Sequence, residues 1–111
     1  MILVTGATGY IGGLLVPRLL DEGWTVRALT RSAERLRSRE WADRVEVVEG
    51  DVTSAGDLRE ALTGVDVAYY LVHSMDGGGD LARRDRDLAE RFATTAADEE
   101  VGRIVYLGGL H

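Results

Sequence analysis

The sequence predicts an α/β fold, a doubly wound parallel sheet with helices on both faces and the strand order 3-2-1-4-5. Apolar runs of strand length, without polar alternation, lie at 2–5, 24–29, 45–49, 66–72 and 103–107. Such runs are typical of strands that are buried on both faces. Segments with helical periodicity lie between them, at 10–22, 32–39, 54–63 and 80–100. This alternation favours right-handed βαβ units.

Length and composition indicate one globular domain over residues 1–111. The chain has 111 residues, of which 45% are hydrophobic and 29% charged, as in ordinary globular proteins. A net charge of −6 disfavours nucleic acid or an anionic membrane as the main partner. All thirteen basic residues are arginine and there is no cysteine. Disulfides, zinc-thiolate sites, Schiff bases and a Walker A lysine are therefore excluded, and we predict no metal site.

The chain start does not resemble a targeting signal. The apolar run Ile2–Val4 has no basic region before it and is too short for a signal peptide. No stretch of the sequence approaches the ~20 apolar residues that a membrane-spanning helix needs. We therefore expect a cytoplasmic protein without a membrane partner.

Local signals refine two of the predicted helices. Ser54 and Asp57 have the spacing of a capping box at the start of the third helix, and Gly64 is placed to end it. Pro17 falls inside the first helix, which predicts a kink there, and Gly13 four residues earlier leaves room for the proline ring.

The stretch TGATGYIG, residues 5–12, directly follows the first strand and opens the first helix. We expect Gly6 to permit the sharp turn, Gly9 to let a ligand approach the backbone, and Gly12 to let the helix pack closely on the strand. Free N–H groups and the positive end of the helix dipole would then receive a pyrophosphate. Glycine-rich turns without ligands are common, but this position in a βαβ pattern favours a dinucleotide.

The end of the second strand indicates which dinucleotide binds. Sites that read a ribose 2′-hydroxyl usually place Asp or Glu there, whereas this sequence has Thr30 followed by Arg31. An acid would repel a 2′-phosphate, and a threonine with a guanidinium would bind it. The sequence therefore favours NADP(H), with NAD(H) as the alternative. Arg35 and Arg37 fit a solvated surface equally well.

Two more strand ends face the same predicted crevice. Asp51 and Val52 follow the third strand, where the carboxylate could accept a hydrogen bond from the adenine amino group and the valine could pack on the ring. The alternative is that Asp51 merely closes a turn. Leu71, Val72 and His73 end the fourth strand, beside the point where the strand order reverses. His73 could act as an acid or base, although loop histidines mostly make simple polar contacts.

These segments resemble the N-terminal half of short-chain dehydrogenase/reductases, specifically the atypical NAD(P)-binding, NmrA-like group. TGATGYIG, TVRALTR, VEGDVTS and RIVYLGGL carry the resemblance, which covers essentially the whole chain. It implies a Rossmann-like fold, a 2′-phosphate contact at Arg31 and an adenine contact at Asp51 and Val52. It also places Leu71 to His73 along the ribose and nicotinamide. The pyrophosphate contacts that it implies are Gly6, Thr8, Gly9, Tyr10, Ile11 and Gly12.

The sequence departs from the enzymes of this group in its catalytic residues. Those enzymes use a Tyr-x-x-x-Lys pair and a Ser or Thr at the end of the fifth strand. This chain has no lysine, and Gly108 and Gly109 stand where the serine is expected. We therefore predict an NADP(H)-binding domain whose catalytic residues are not in this chain. The alternatives are a non-catalytic NADP(H)-sensing regulatory module and a fragment that binds nothing tightly.

The end of the chain predicts a further property. Members of the group continue beyond the fifth strand, whereas this sequence stops at His111, so we interpret it as a fragment truncated after that strand. The fifth strand would then be an unprotected edge of the sheet, open to pairing with another chain. We expect a homo-oligomer that forms through this edge.

Overall fold

The computed structural model describes residues 1–71 and 79–106, except the side chains at 79–82 and 85. The strands form one parallel sheet in the order β3-β2-β1-β4-β5, which confirms the predicted α/β fold and its strand order. The strands are β1 (Ile2–Thr5), β2 (Val26–Thr30), β3 (Glu46–Glu49), β4 (Val67–Tyr70) and β5 (Arg103–Tyr106). The helices are α1 (Tyr10–Asp21), α2 (Ala33–Arg37), α3 (Ala55–Leu62) and α4 (Gly79–Asp98).

Helix ends follow the predicted signals in most places. The Ser54 hydroxyl accepts the N–H of Asp57 at 3.3 Å at the start of α3. The second half of the predicted capping box is absent, because the Asp57 carboxylate accepts the N–H of Asp51, at 3.0 Å. Gly64, at φ 76°, follows the C-cap of α3. Pro17 lies inside α1, which continues past it, and α2 ends at Arg37, earlier than predicted.

Two hydrophobic clusters cover the two faces of the sheet. On one face Ile2, Val4 and Ala28 of the sheet pack with Val16 of α1 and Leu36 of α2. On the other, Leu3, Leu29 and Ala68 pack with Leu58 of α3 and Phe92 of α4. The residues of β1 alternate between the clusters, so that this central strand is buried on both faces, as predicted.

The edge strands are more exposed than their sequences predicted. β3 and β5 were expected to be buried on both faces, but three of the four residues of β3 are exposed, as are Arg103 and Tyr106 of β5. This expectation was wrong because, among the strands that the structure describes, each of these two has a neighbour on one side only. Apolar run length alone does not report a strand's place in the sheet.

The strand register brings the functional loops together. Thr5 of β1 pairs with Leu29 of β2 and with Tyr70 of β4, so that these strands end at the same level. The chain leaves β1 and β2 at the carboxyl end of the sheet, next to the point between β1 and β4 where the strand order reverses. Open α/β sheets bind their ligands at such a point.

Candidate functional site

The turn between β1 and α1 requires glycine at two positions for different reasons. Gly6 has φ 75°, a left-handed conformation that side chains disfavour. Gly12 has no room for a side chain, because a Cβ there would lie 2.6 Å from the Cα of Ala7 and against the carbonyl oxygen of Gly6. Gly6 thus makes the turn, as predicted, whereas Gly12 lets the start of the helix pack on Gly6 and Ala7 of the turn rather than on the strand.

The first turn of α1 offers unpaired backbone donors. Its N-cap is Gly9, which has no side chain to accept a hydrogen bond, and its first turn has no acidic residue. The Gly9 N–H donates to the Gly6 carbonyl at 3.0 Å. Within residues 1–71 and 79–106 the N–H groups of Tyr10, Ile11 and Gly12 have no acceptor. Three donors at the positive end of a helix dipole form an anion-binding surface.

A cleft of about 370 Å³ opens at the ends of the central strands, beside this turn. Its volume is within the usual range for small-molecule sites. The predicted site residues that line it are Gly6, Thr8, Gly9, Thr30, Arg31, Asp51, Val52 and Leu71. Tyr10, Ile11 and Gly12 lie next to the cleft in α1 and do not line it. Val72 and His73 lie outside the described residues.

Thr30 and Arg31 differ in what they can offer a ligand. The Thr30 hydroxyl accepts the N–H of Ser32 at 3.1 Å and donates to the Ser32 carbonyl at 3.2 Å, so its proton is already used within the turn. The Arg31 side chain is exposed, and in the part of the chain that the structure describes it makes no hydrogen bond or ion pair. Arg31 is therefore the residue at this strand end that can bind a phosphate.

Asp51 closes a turn and also lines the cleft. One carboxylate oxygen, Oδ1, accepts both the N–H and the hydroxyl of Thr53, each at 2.9 Å. These hydrogen bonds from Thr53, with a smaller contribution from the charge of Arg31, lower the pKa of Asp51, against a small opposing effect of burial. Asp51 is therefore ionised at neutral pH. It can only accept hydrogen bonds from a ligand, which suits an exocyclic amino group.

Several residues of the cleft were not predicted from the sequence. Thr5 is fully buried; its hydroxyl donates to the Tyr69 carbonyl at 3.1 Å and accepts the N–H of Leu71 at 3.2 Å. It joins the ends of β1 and β4 where the strand order reverses. A polar residue at the end of a buried strand was the signal that could have identified it. The other unpredicted residues of the cleft are Leu29, Gly50, Thr53 and Leu88.

Metal clusters and membrane-spanning helices are absent from the described part of the chain. Residues 1–71 and 79–106 contain no group of three or more His, Asp or Glu side chains placed to hold a metal ion. Across the same ranges, no helix combines the length and the apolar character that crossing a membrane requires.

Comparison with known proteins agrees with this geometry. Residues 6–111 match the family model described as NAD(P)H-binding. The matched residues include the glycine turn and every other strand end of the cleft. The chain belongs to this NAD(P)H-binding family. The resemblance to atypical, NmrA-like short-chain dehydrogenase/reductases is thereby confirmed, as is the Rossmann-like NAD(P)-binding fold.

Relatives of this NAD(P)H-binding domain include reductases. The chain is 39% identical over 107 residues to (4-alkanoyl-5-oxo-2,5-dihydrofuran-3-yl)methyl phosphate reductase of Streptomyces griseus, covering 96% of this chain and 34% of that protein. It is 30% identical over 99 residues to 3 beta-hydroxysteroid dehydrogenase/Delta 5-->4-isomerase of Mycobacterium tuberculosis, covering 89% of this chain and 26% of that protein. The chain thus spans about a third or less of these relatives.

Solved structures show the same fold with either dinucleotide bound. Triphenylmethane reductase of Citrobacter sp., in complex with NADP(H), superposes with a TM-score of 0.80 at 27% identity, over 96% of this chain and 36% of that one. A short-chain dehydrogenase/reductase superfamily protein of Agrobacterium tumefaciens, with bound NAD, gives 0.74 at 27% identity, over 96% and 31%. The choice between the two cofactors therefore depends on individual residues of this chain.

Proposed function

We propose that residues 1–111 form the cofactor-binding domain of a reductase that uses NADP(H) in preference to NAD(H). The observation that carries the preference is Arg31, which lines the cleft directly after β2 and whose guanidinium has no partner among residues 1–71 and 79–106. A guanidinium binds a phosphate through charge-assisted hydrogen bonds, whereas a 2′-hydroxyl offers it little. The NADP(H) complex of triphenylmethane reductase shows that this fold can hold NADP(H), and Arg31 supplies the preference.

The residues of the cleft suggest how each part of the dinucleotide would be held. The pyrophosphate would lie against the glycine turn at Gly6, Thr8 and Gly9 and would accept the backbone N–H groups of Tyr10, Ile11 and Gly12. Thr30 would shape the pocket for the 2′-phosphate beside Arg31. Asp51 and Val52 would contact the adenine, and Leu71, Val72 and His73 would lie along the ribose and nicotinamide. Bound in this way, the nicotinamide supplies a hydride for reduction.

Fluorescence titration of the chain with NADPH and NADH tests the preference. We expect NADPH to bind about tenfold or more tightly, because a guanidinium–phosphate hydrogen bond contributes about 1.5–3 kcal/mol. Arg31→Ala should remove most of this difference, whereas Arg35→Ala, an exposed arginine outside the cleft, should leave it unchanged. Equal affinities in the wild type, or an unchanged ratio in Arg31→Ala, would contradict the proposal.

A regulatory role is the second candidate function, favoured by Gly108 and Gly109 in the positions where reductases of this group carry a serine. A module of this kind would bind NADP(H) and report its redox state to a partner without transferring hydride. Oxidation of bound NADPH by a panel of carbonyl and quinone substrates, assayed with the full-length protein, distinguishes the two. If neither dinucleotide binds at millimolar concentration, the chain is instead a fragment without a functional site.

We also propose that the chain self-associates through β5. β5 has one neighbour in the sheet, and its exposed Tyr106 is 49% accessible. The other edge, β3, carries Glu46 and Glu49, charges of the kind that discourage edge pairing. Light scattering should show a dimer that Tyr106→Lys weakens and Val47→Lys, on β3, leaves intact. A monomer at high micromolar concentration would contradict the proposal.

We further propose that the protein lies in the cytoplasm, and cell fractionation tests this location.

A further inference from the structure

One arginine from outside the glycine turn, residues 6–9, forms a hydrogen bond to its backbone. Arg39 lies two residues beyond the end of α2, and its Nη2 donates a hydrogen bond to the carbonyl oxygen of Thr8. The two residues are 31 positions apart in the sequence. In the described part of the chain, no other side chain makes a hydrogen bond to residues 6–9.

The position of this hydrogen bond gives it a specific consequence. The carbonyl of Thr8 and the N–H of Gly9 belong to the same planar peptide unit. The N–H end donates to Gly6 O at 3.0 Å, and the carbonyl end accepts from Arg39. The unit is therefore held at both ends. Because Gly9 lacks a side chain that would restrict its φ angle, these two hydrogen bonds help to determine the orientation of this peptide.

The orientation of that peptide sets the direction of the donors that follow. Gly9 is the N-cap of α1, and the unpaired N–H groups of Tyr10, Ile11 and Gly12 come directly after it. Rotation of the Thr8–Gly9 peptide would move the start of the helix and scatter these donors. Arg39 does not line the cleft, so it acts on a ligand only through the turn.

We propose that Arg39 is a positioning residue that pre-organises the pyrophosphate site by fixing the Thr8–Gly9 peptide. This inference rests on the proposed binding of a dinucleotide. The pyrophosphate is common to NADPH and NADH, so Arg39 strengthens the binding of both by the same factor. Arg31 instead changes the ratio between them, and the two arginines thus have separable effects.

The test compares Arg39→Ala and Arg39→Lys with Arg37→Ala, a matched control at an exposed arginine of α2 outside the cleft. Titration should show that Arg39→Ala weakens NADPH and NADH about fivefold to tenfold each, as expected for a hydrogen bond from a charged group. Arg39→Lys should recover part of the loss, because it keeps the charge and one donor. Arg37→Ala should bind both as the wild type does.

A second measurement needs no cofactor. Hydrogen–deuterium exchange of the ligand-free chain should be faster in Arg39→Ala than in the wild type or in Arg37→Ala at the amides of Gly9 and Gly13, which donate to the carbonyls of Gly6 and Gly9. Unchanged exchange at these amides would overturn the proposal, as would a loss of affinity confined to NADPH, which would make Arg39 a 2′-phosphate contact. If the wild type binds neither dinucleotide, the proposed function fails, while the exchange result still decides whether Arg39 fixes the turn.

Discussion

The N-terminus of α1 differs from those of α2 and α3 in how its backbone donors are used. Ser32 caps α2 by accepting the N–H of Arg35 at 3.2 Å, and Ser54 caps α3 in the same way. The Glu49 carboxylate also accepts the first N–H of α2, from Ala33, at 3.0 Å. The N-cap of α1 is Gly9, without any side-chain acceptor. Side chains thus cap the starts of α2 and α3, whereas the start of α1 leaves its first-turn donors available to an external anion.

The same contrast appears in charge. Asp51 lies in the turn before α3 and Asp57 in its first turn, and both carboxylates accept hydrogen bonds from neighbouring N–H groups. The first turn of α1 has no acidic residue, and Arg39 contacts the loop before it. A phosphate at α1 therefore meets the positive end of the helix dipole with no carboxylate in the first turn, while one at α3 would be repelled by Asp51 and Asp57. This difference indicates where the pyrophosphate binds.

The largest effect is expected from Gly12→Ala, which breaks the geometry of the α1 start. The new Cβ would lie 2.6 Å from the Cα of Ala7, a backbone atom that cannot move without shifting the turn. We expect dinucleotide affinity to fall more than a hundredfold and stability to fall by about 1–3 kcal/mol, the usual cost of overpacking. Titration and urea unfolding measure the two.

Gly56→Ala, in the first turn of α3, is the control for this substitution. A Cβ at Gly56 meets nothing within 4 Å, so we expect binding to be unchanged and stability to rise by up to about 1 kcal/mol. If Gly12→Ala behaves like Gly56→Ala, close packing at position 12 does not determine the site.

Gly9→Ser converts the start of α1 into a copy of the other two. Gly9 has φ −80°, which serine adopts readily, although its Cβ would lie 3.3 Å from Gly6 O. Glycine and serine differ as N-caps by only a few tenths of a kcal/mol, so stability should change little. The serine hydroxyl would occupy the donors of the first turn, and affinity for both dinucleotides should fall about tenfold.

Unfolding and titration of Gly9→Ser, with Arg37→Ala as a neutral surface control, check this expectation. Unchanged affinity would show that the first-turn donors of α1 are not the ones that bind the pyrophosphate.

Local patterns made much of this site predictable from the sequence. Gly6 and Gly12 are required by backbone conformation and close packing, which depend on residues within the same turn. Arg31 was identified because it directly follows β2, which places it at the carboxyl end of the sheet, where the cleft opens. The parallel strand order was predicted for the same reason, since each βαβ unit is a local element with one favoured hand.

The features of the site that were not predicted depend on contacts between segments that are distant in the sequence. Leu88 reaches the cleft from α4, and Arg39 contacts Thr8 across 31 positions. No periodicity or spacing within either segment reports such a contact. The exposure of β3 and β5 was missed for a related reason, because a strand's place at an edge is decided by its neighbours rather than by its own residues.

Ser54→Ala tests the other side of the comparison with a smaller effect. Loss of an N-cap side chain costs about 1 kcal/mol, so urea unfolding should show α3, and with it the domain, destabilised by about that amount. Because these donors do not bind the ligand, NADPH affinity should stay within twofold of the wild type. A loss of affinity as large as that of Gly9→Ser would remove the distinction between the two helix starts. Ser54→Gly should cost only a few tenths of a kcal/mol.

The smallest effect is a pH dependence at the turn before α3. The pKa of Asp51 lies below the 3.8 of an unperturbed aspartate, because Thr53 donates two hydrogen bonds to its carboxylate. When the folded-state pKa is lower than the unfolded one, the ionised group stabilises the fold above the unfolded pKa. That contribution is lost as the pH falls through the folded value. Asp51 therefore stabilises the fold at neutral pH, and most of this effect should disappear below about pH 3.8.

Unfolding of the wild type and of Asp51→Asn between pH 7 and pH 3 isolates this contribution. The difference in stability should be constant from pH 7 to about pH 5 and should shrink in more acidic solution, as Asp51 becomes protonated in the wild type. Thr53→Val removes the hydroxyl donor but keeps the N–H donor, so it should raise the pKa of Asp51 part of the way to its ordinary value. A carboxyl titration of Asp51 by NMR that gives a pKa at or above 3.8 would contradict the assignment. It would also mean that Asp51 is freer to bind a ligand than the closed turn before α3 implies.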